Sequence, residues 1–405
     1  MEASDIANNI EYARLLIVIE EVSPTTISLS EIFDNVKTRL CGFDYRVCAE
    51  YRVKAADLNW ADTLLFVRTK SPISFNIAKL ARKKNKRIYC FFDDDFLSLA
   101  DDYLGVGVWP GRKKALVKLL HISDGIISPN KLLAEKYGEI GGIKEVGTVD
   151  TVVDSDKMVK YREPAQKCRL LMYVNDGSLE SFNNYILPAL KLLGERMPDS
   201  VKLYLFTLKP DCGSIKNIEI EYVDHMPYAE FIEFLSNTDF DIGLAPLDNI
   251  GFNQYKYFNK FIEYTKIGAM GIYSDCPLYR LVVENGVNGA LVDNTPESWV
   301  DAIEYYYKNH RLRINCINNA QELIRDRFNA ETVIAKLVAD MPKLFEKTAS
   351  DKKIRGISMF FIKIKHYFSR LRERLYLLKR YYKAGGLRRV RAALDKRRAA
   401  KREGG

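Results

Sequence analysis

The sequence predicts an α/β protein of two parallel-sheet domains facing each other across a cleft, followed by a basic helical tail. Three observations carry that expectation. Short apolar runs alternate with amphipathic helical patterns in two successive series, as βαβ units do. A polar, irregular stretch separates the two series. The closing segment concentrates positive charge that the rest of the chain lacks.

At 405 residues the chain exceeds what a single core spans, and 47% hydrophobic with 12% aromatic residues is the composition of a packed globular protein. In the first series the candidate strands are residues 15–19 (LLIVI), 63–67 (TLLFV), 87–92 (RIYCFF) and 125–128 (GIIS). Between them, residues 73–84 and 113–121 are apolar on one side and basic on the other, as helices covering a sheet are. The first domain is expected over residues 1–150, Rossmann-like, with an interdomain linker in residues 149–169, where the text turns polar around Pro164. The second series places strands at 170–174, 201–206, 241–244, 271–274 and 290–292, and helices at 182–195, 228–236, 257–267 and 296–308. That gives a second Rossmann-like domain over 151–349 and a tail over 350–405.

The overall charge of +9 hides a division. From Asp351 to Gly405 there are 19 Lys and Arg against four Asp and Glu, a net +15, which leaves −6 for the remaining 350 residues. In the tail, Ile357, Phe361, Ile364, Phe368, Leu371, Leu375, Leu378 and Tyr382 recur at alternating spacings of four and three, a heptad stripe on a long helix that the pair Gly385-Gly386 is expected to end. Aromatic residues in the stripe, flanked by Lys363, Lys365, Arg370, Arg372, Arg374, Lys379 and Arg380, suit an interfacial helix on anionic lipid. A helix packed on the body, or the arm of a homodimeric coiled coil, is the alternative.

The seven cysteines are odd in number, scattered and never spaced CxxC, which argues against a disulfide framework and a zinc site and fits a reducing, cytoplasmic setting. The apolar run at 15–19 is shorter than a signal or a membrane span. His121, His225, His310 and His366 share no ligand spacing, so no metal site is expected.

Chemistry concentrates in residues 241–275, DIGLAPLDNIGFNQYKYFNKFIEYTKIGAMGIYSD. A buried strand runs into a loop holding Gly251 and then into a helix expected to start near Tyr257, and a helix N-terminus reached through such a loop is a phosphate site. Lys256 and Lys260 bring positive charge there, and Glu263, three residues after Lys260, lies on the same face and could accept from ribose hydroxyls. The alternative is a solvated helix face on which Glu263 pairs with the lysines. Asp93, Asp94 and Asp95 end a predicted strand, so Asp94 is a candidate for orienting an acceptor hydroxyl or acting as a base, against a plain acidic turn capping the next helix. NDGS at 175–178 also ends a strand, so the backbone at Gly177 and Ser178 could approach a donor, or simply turn.

Residues 241–307 resemble the nucleotide-binding half of group-1, family-4-like GT-B glycosyltransferases. The likeness is carried by Phe252-Asn253, by the K-x-x-x-K-F-x-E-Y spacing from Lys256 to Tyr264, and by VVENGVNGALV at 282–292. It extends more weakly to RIYCFFDDDF at 87–96 and ISDGIISPNKLLAEKYG at 122–138, hence over about residues 63–330. The resemblance implies transfer of a sugar, with retention, from a nucleoside-diphosphate sugar to a saccharide or lipid-linked acceptor at the inner membrane face, in cell-surface polysaccharide synthesis. It implies that Asn253, Lys256, Lys260 and Glu263 hold the donor, with no metal and no cofactor beyond the donor itself. One departure stands out: many relatives carry a second glutamate eight positions before the one matched by Glu263, where this chain has Tyr255. A sugar-nucleotide binder without turnover is therefore a second reading. Nucleic-acid binding through the tail is a third, disfavoured because the body is acidic and lacks a recognition motif.

Overall fold

The computed structural model describes residues 12–99, 109–159, 166–174, 178–207, 209–213, 215–224, 226, 228–248, 250–348 and 353–403. The chain forms two compact units, residues 1–151 with 333–405, and residues 152–332. The division differs from the expected one at its end. Residues 333–348, read as the close of the second domain, group with the first unit, as does the described part of the tail.

The first unit is built on a six-stranded parallel sheet. Its strands are β1 (Arg14–Ile19), β2 (Asp44–Ala49), β3 (Thr63–Val67), β4 (Arg87–Phe91), β5 (Gly125–Ser128) and β6 (Glu145–Thr148), in the order β2-β1-β3-β4-β5-β6. Every pairing is parallel, which the intervening helices make possible. Three of those helices start at residues that cap them with a side chain. Ser23 accepts from the amide of Thr26 ahead of Pro24–Arg39, and Ser71 from that of Ser74 ahead of Pro72–Arg82, each with proline in the first turn. Asn130 caps Lys131–Gly141, and Gly142 at φ 64 closes it in the left-handed conformation. The chain order reverses between β1 and β3, so the carboxyl ends of those strands form this unit's topological switch point.

The second unit carries β7 (Cys168–Val174), β8 (Val201–Thr207), β9 (Ile218–Val223), β10 (Ile242–Ala245), β11 (Met270–Ser274) and β12 (Ala290–Val292), in the order β12-β11-β10-β7-β8-β9, again all parallel. Here the reversal lies between β7 and β10. At the opposite, amino end of those two strands, buried Asp241 takes Arg169 Nε at 3.1 Å and Arg313 Nη2 at 3.0 Å. Arg313 is fully buried and lies on the helix His310–Arg327, so one carboxylate ties that helix to the sheet. Removing Asp241 would take the carboxylate away from the buried Arg313 guanidinium.

The tail is helical over Gly356–Glu403. Gly385-Gly386 does not end it: helix continues on both sides, with Gly386 at φ 61, a conformation that L side chains avoid. Among the described residues no helix is long and apolar enough to cross a membrane.

Candidate functional site

At the carboxyl edge of the second sheet, three of the residues singled out in the sequence, Ser178, Lys260 and Glu263, are linked through one tyrosine. Tyr173, near the end of β7, lies under the Lys260 ammonium, whose Nζ is 3.6 Å from the ring centroid. The Tyr173 carbonyl accepts from Ser178 Oγ at 3.3 Å. Lys260 Nζ in turn reaches Glu263 Oε2 at 2.9 Å. Ser178, Lys260 and Glu263 thus belong to one constellation at the β7/β10 switch point, where ligands of such sheets bind.

The helix bearing Lys260 and Glu263 runs Asn259–Lys266, two residues later than expected. A 3-10 turn, Gly251–Tyr255, precedes it, and Tyr257, read as its start, lies between the two. Asn253 lies in that turn, and Lys256 closes it, with its Nζ 5.7 Å from the Phe252 ring centroid. Gly251 sits at φ 54, which explains a glycine at the turn. Phe258 occupies the helix's N-cap and supplies no side-chain cap, while its carbonyl accepts from the Phe261 amide at 3.0 Å. Gly243 sets the depth of the helix: a Cβ there would come within 2.4 Å of the Tyr264 ring, whose hydroxyl donates to the Leu244 carbonyl at 2.7 Å.

Beneath Glu263 lies a floor of tyrosines. Burial raises the phenols of Tyr173, Tyr264, Tyr273 and Tyr279, and the Glu263 carboxylate adds to each shift. Glu263 itself is 44% exposed at its side chain and Lys260 29%, so both reach solvent over an apolar, neutral base.

Sequence reasoning missed Asp248, in the loop after β10. It accepts from Ser181 Oγ at 2.7 Å and from the Tyr185 hydroxyl at 2.5 Å, joining that loop to the one after β7. This bond and burial push Tyr185 up to about 12. Residues Phe182–Ile186 form a π turn, a local widening that recurs at functional sites. The sequence offered only part of the signal, an aspartate three residues past a buried strand; its hydroxyl partners lie more than sixty residues earlier. Gly177 lies outside the described residues.

The acidic triplet belongs to the first unit and its charges are engaged. Arg68, following β3, holds Asp93 through a short ion pair and approaches Asp94 at 3.3 Å, while Thr25 also donates to Asp93. Asp95 is fully buried, takes Lys136 Nζ at 2.7 Å and accepts from the Ser98 amide, capping the short helix Phe96–Leu99. The capping-turn alternative therefore describes Asp95, and Asp94 is the most exposed of the three. Among the described residues, no three His, Cys, Asp or Glu side chains converge as metal ligands do.

No protein-family model matches the chain, and no curated protein matches it by sequence. Solved structures do. The chain is similar to the Anabaena protein HepE in complex with UDP (12% identity, TM-score 0.57, 82% of this chain and 100% of that one). It is similar to a Rickettsia africae glycosyltransferase (12%, 0.57, 82% and 98%). It is also similar to sucrose-phosphate synthase from Thermosynechococcus elongatus (10%, 0.55, 82% and 98%). At such identities the likeness is one of fold, not of function: this chain has the two-domain GT-B fold that these structures share.

Proposed function

We propose that the chain is a glycosyltransferase that takes a hexosyl group from a nucleoside-diphosphate sugar held at the carboxyl edge of its second sheet. The supporting observation is the join of Ser178, Tyr173, Lys260 and Glu263 at the β7/β10 switch point. HepE, of like fold, was solved with UDP. Lys260 and Lys256 would face the diphosphate, with Asn253 and the amides of Asn259 and Lys260 at the helix start beside them. Glu263 would accept from the ribose hydroxyls.

The Lys260–Glu263 pair does not oppose this. A half-exposed pair of this kind is worth about 0–1 kcal/mol, little against a doubly charged diphosphate. When the bond from the anomeric carbon to the diphosphate oxygen breaks, charge develops on that oxygen, and preplaced ammonium groups stabilise it without a metal. The acceptor oxygen bonds to the anomeric carbon as its proton passes to the departing diphosphate oxygen, and Asp94 on the first unit is the candidate that orients the acceptor hydroxyl. Retention of configuration, a saccharide or lipid-linked acceptor at an anionic inner membrane face, and a role in cell-surface polysaccharide synthesis complete the reading.

A thermal-shift screen of the purified protein against UDP-, GDP- and dTDP-sugars tests it. A ligand at a hundred times its dissociation constant stabilises by about 2.7 kcal/mol. Stabilisation by one nucleotide class, followed by sugar transfer or slow hydrolysis of that donor, supports the proposal. Binding without any turnover would point to the non-catalytic binder that Tyr255 suggests, and no response to any nucleotide sugar would overturn the donor site.

A further inference from the structure

The tail helix has two faces that point away from each other. One docks on the first unit, packing against the helices Ala55–Trp60 and Pro72–Arg82. Ile354, Met359 and Ile362 are buried there, and Asn59 exchanges hydrogen bonds with both backbone groups of Ile354, at 2.7 and 3.0 Å. Further along, Glu373 takes Arg112 Nε at 2.6 Å. The other face is the heptad stripe read from the sequence. Ile357, Phe361, Ile364, Phe368, Leu371 and Leu375 are between 37% and 62% exposed. At 3.6 residues per turn this stripe is centred roughly 160° from the direction of Met359, Ile362 and Glu373.

Charge identifies what the stripe meets. Lys363 and Arg374 border it on one side, and Lys365, Arg372 and Lys379 on the other. The one acidic residue in 353–383, Glu373, is turned inward and bound by Arg112. A coiled coil of two copies would set basic borders against basic borders with no carboxylate on either outer face to pair them. An anionic bilayer accepts both features, the apolar stripe in its acyl boundary and the two cationic rows among its headgroups.

The inner face makes a second connection. Arg112, on the helix Pro110–Leu120, bonds Glu373 and also Glu20 Oε2 at 2.7 Å. Glu20 directly follows β1 and accepts from the Lys70 amide beyond β3 at 2.6 Å, so it sits at this unit's switch point. One guanidinium therefore ties the tail helix to the edge of the first sheet where a ligand would lie.

We infer that the outer stripe lies in the plane of an anionic bilayer while the Glu20–Arg112–Glu373 bridge clamps the opposite face of the same helix to the switch point of the first sheet, fixing that edge relative to the membrane surface. Arg112 and Glu373 are positioning residues. The inference rests on the membrane side of the reading above and uses no property of the donor site, so the two fail separately.

The test uses the full-length protein, vesicles of phosphatidylglycerol mixed with phosphatidylcholine or of phosphatidylcholine alone, and hydrogen exchange. Wild type should sediment with the anionic vesicles alone, weakening as salt rises. Phe361→Glu with Phe368→Glu, both at exposed positions, should lower that affinity at least about tenfold. Glu373→Gln should bind vesicles within about twofold of wild type, yet exchange amides of the helices 110–120 and 356–383 at least about tenfold faster, because the clamp and not the stripe is broken. Wild type that ignores anionic vesicles, or a dimer that the double variant turns into monomer, overturns the bilayer assignment. Unchanged exchange in Glu373→Gln overturns the clamp.

Discussion

The carboxyl edges of the two sheets handle charge in opposite ways. In the first unit nearly every charged group at the edge is closed onto another: Asp93 onto Arg68 and Thr25, Asp95 onto Lys136, Glu20 onto Arg112. In the second, Lys260 and Glu263 form a single half-exposed pair whose ammonium rests on a tyrosine ring, and Asp248 is satisfied by hydroxyls rather than by a cation. Charges locked in multiple buried bonds hold a fold together. A pair open to solvent can exchange one partner for a ligand at little cost, which is why the donor is assigned to the second edge.

The sharpest way to break that comparison is to truncate one carboxylate from each edge and measure unfolding. Asp95→Ala leaves Lys136 without its buried partner and the Ser98 amide without its cap, so a loss of about 3 kcal/mol is expected. Glu263→Ala should change stability by less than about 1 kcal/mol. Equal losses from the two would mean that both edges are structural.

The next effect depends on pH. Glu50, just past β2, accepts from Ser71 and Ser74, and burial, together with the charge of Glu20, pushes its carboxyl up to about 7. Burial alone would raise Glu20 as well, but Arg112 and Lys70 hold it below its usual range. Between the unfolded value near 4.5 and the folded value near 7, the folded protein binds the extra proton. Stability contributed by Glu50 is thus present below pH 4.5 and is lost as pH rises through 7, at up to about 1.4 kcal/mol per pH unit. Thermal melts from pH 5 to 8 should show this decline in wild type and a flatter profile in Glu50→Gln. Parallel profiles would show that Glu50 is not the group responsible.

The smallest expected effect is none at all. If the lysines of the second edge stabilise the leaving diphosphate, transfer should proceed at the same rate in excess EDTA. Loss of activity restored by magnesium or manganese would move the phosphate chemistry away from Lys256 and Lys260.

What the sequence made legible follows burial. All eight interior strands read as short apolar runs, because a strand covered on both faces has no polar alternation to hide it. Three of the four edge strands went unread. β2 (DYRVCA) and β9 (IEIEYV) carry Asp, Arg or Glu on their open faces, and β6 (EVGT) holds a single large apolar residue. The lysine and glutamate of the second edge were legible from their spacing on one helix. Their neighbour Asp248 was not, since its partners Ser181 and Tyr185 lie more than sixty residues earlier and only the fold brings them together. The tail stripe was legible as a stripe, but not the face it would turn outward. That depended on Arg112, 261 positions away from Glu373.

The central claim is that Lys260 and Glu263 hold a nucleoside-diphosphate sugar. Calorimetric titration of the best-responding nucleotide sugar into wild type, Lys260→Ala, Glu263→Ala and Asp93→Asn tests it most directly. The expected result is a loss of affinity of at least about tenfold in each of the first two variants, with Asp93→Asn binding as wild type does. Near-wild-type affinity in both second-unit variants would contradict the assignment and leave Lys260–Glu263 as an ordinary ion pair on a helix surface.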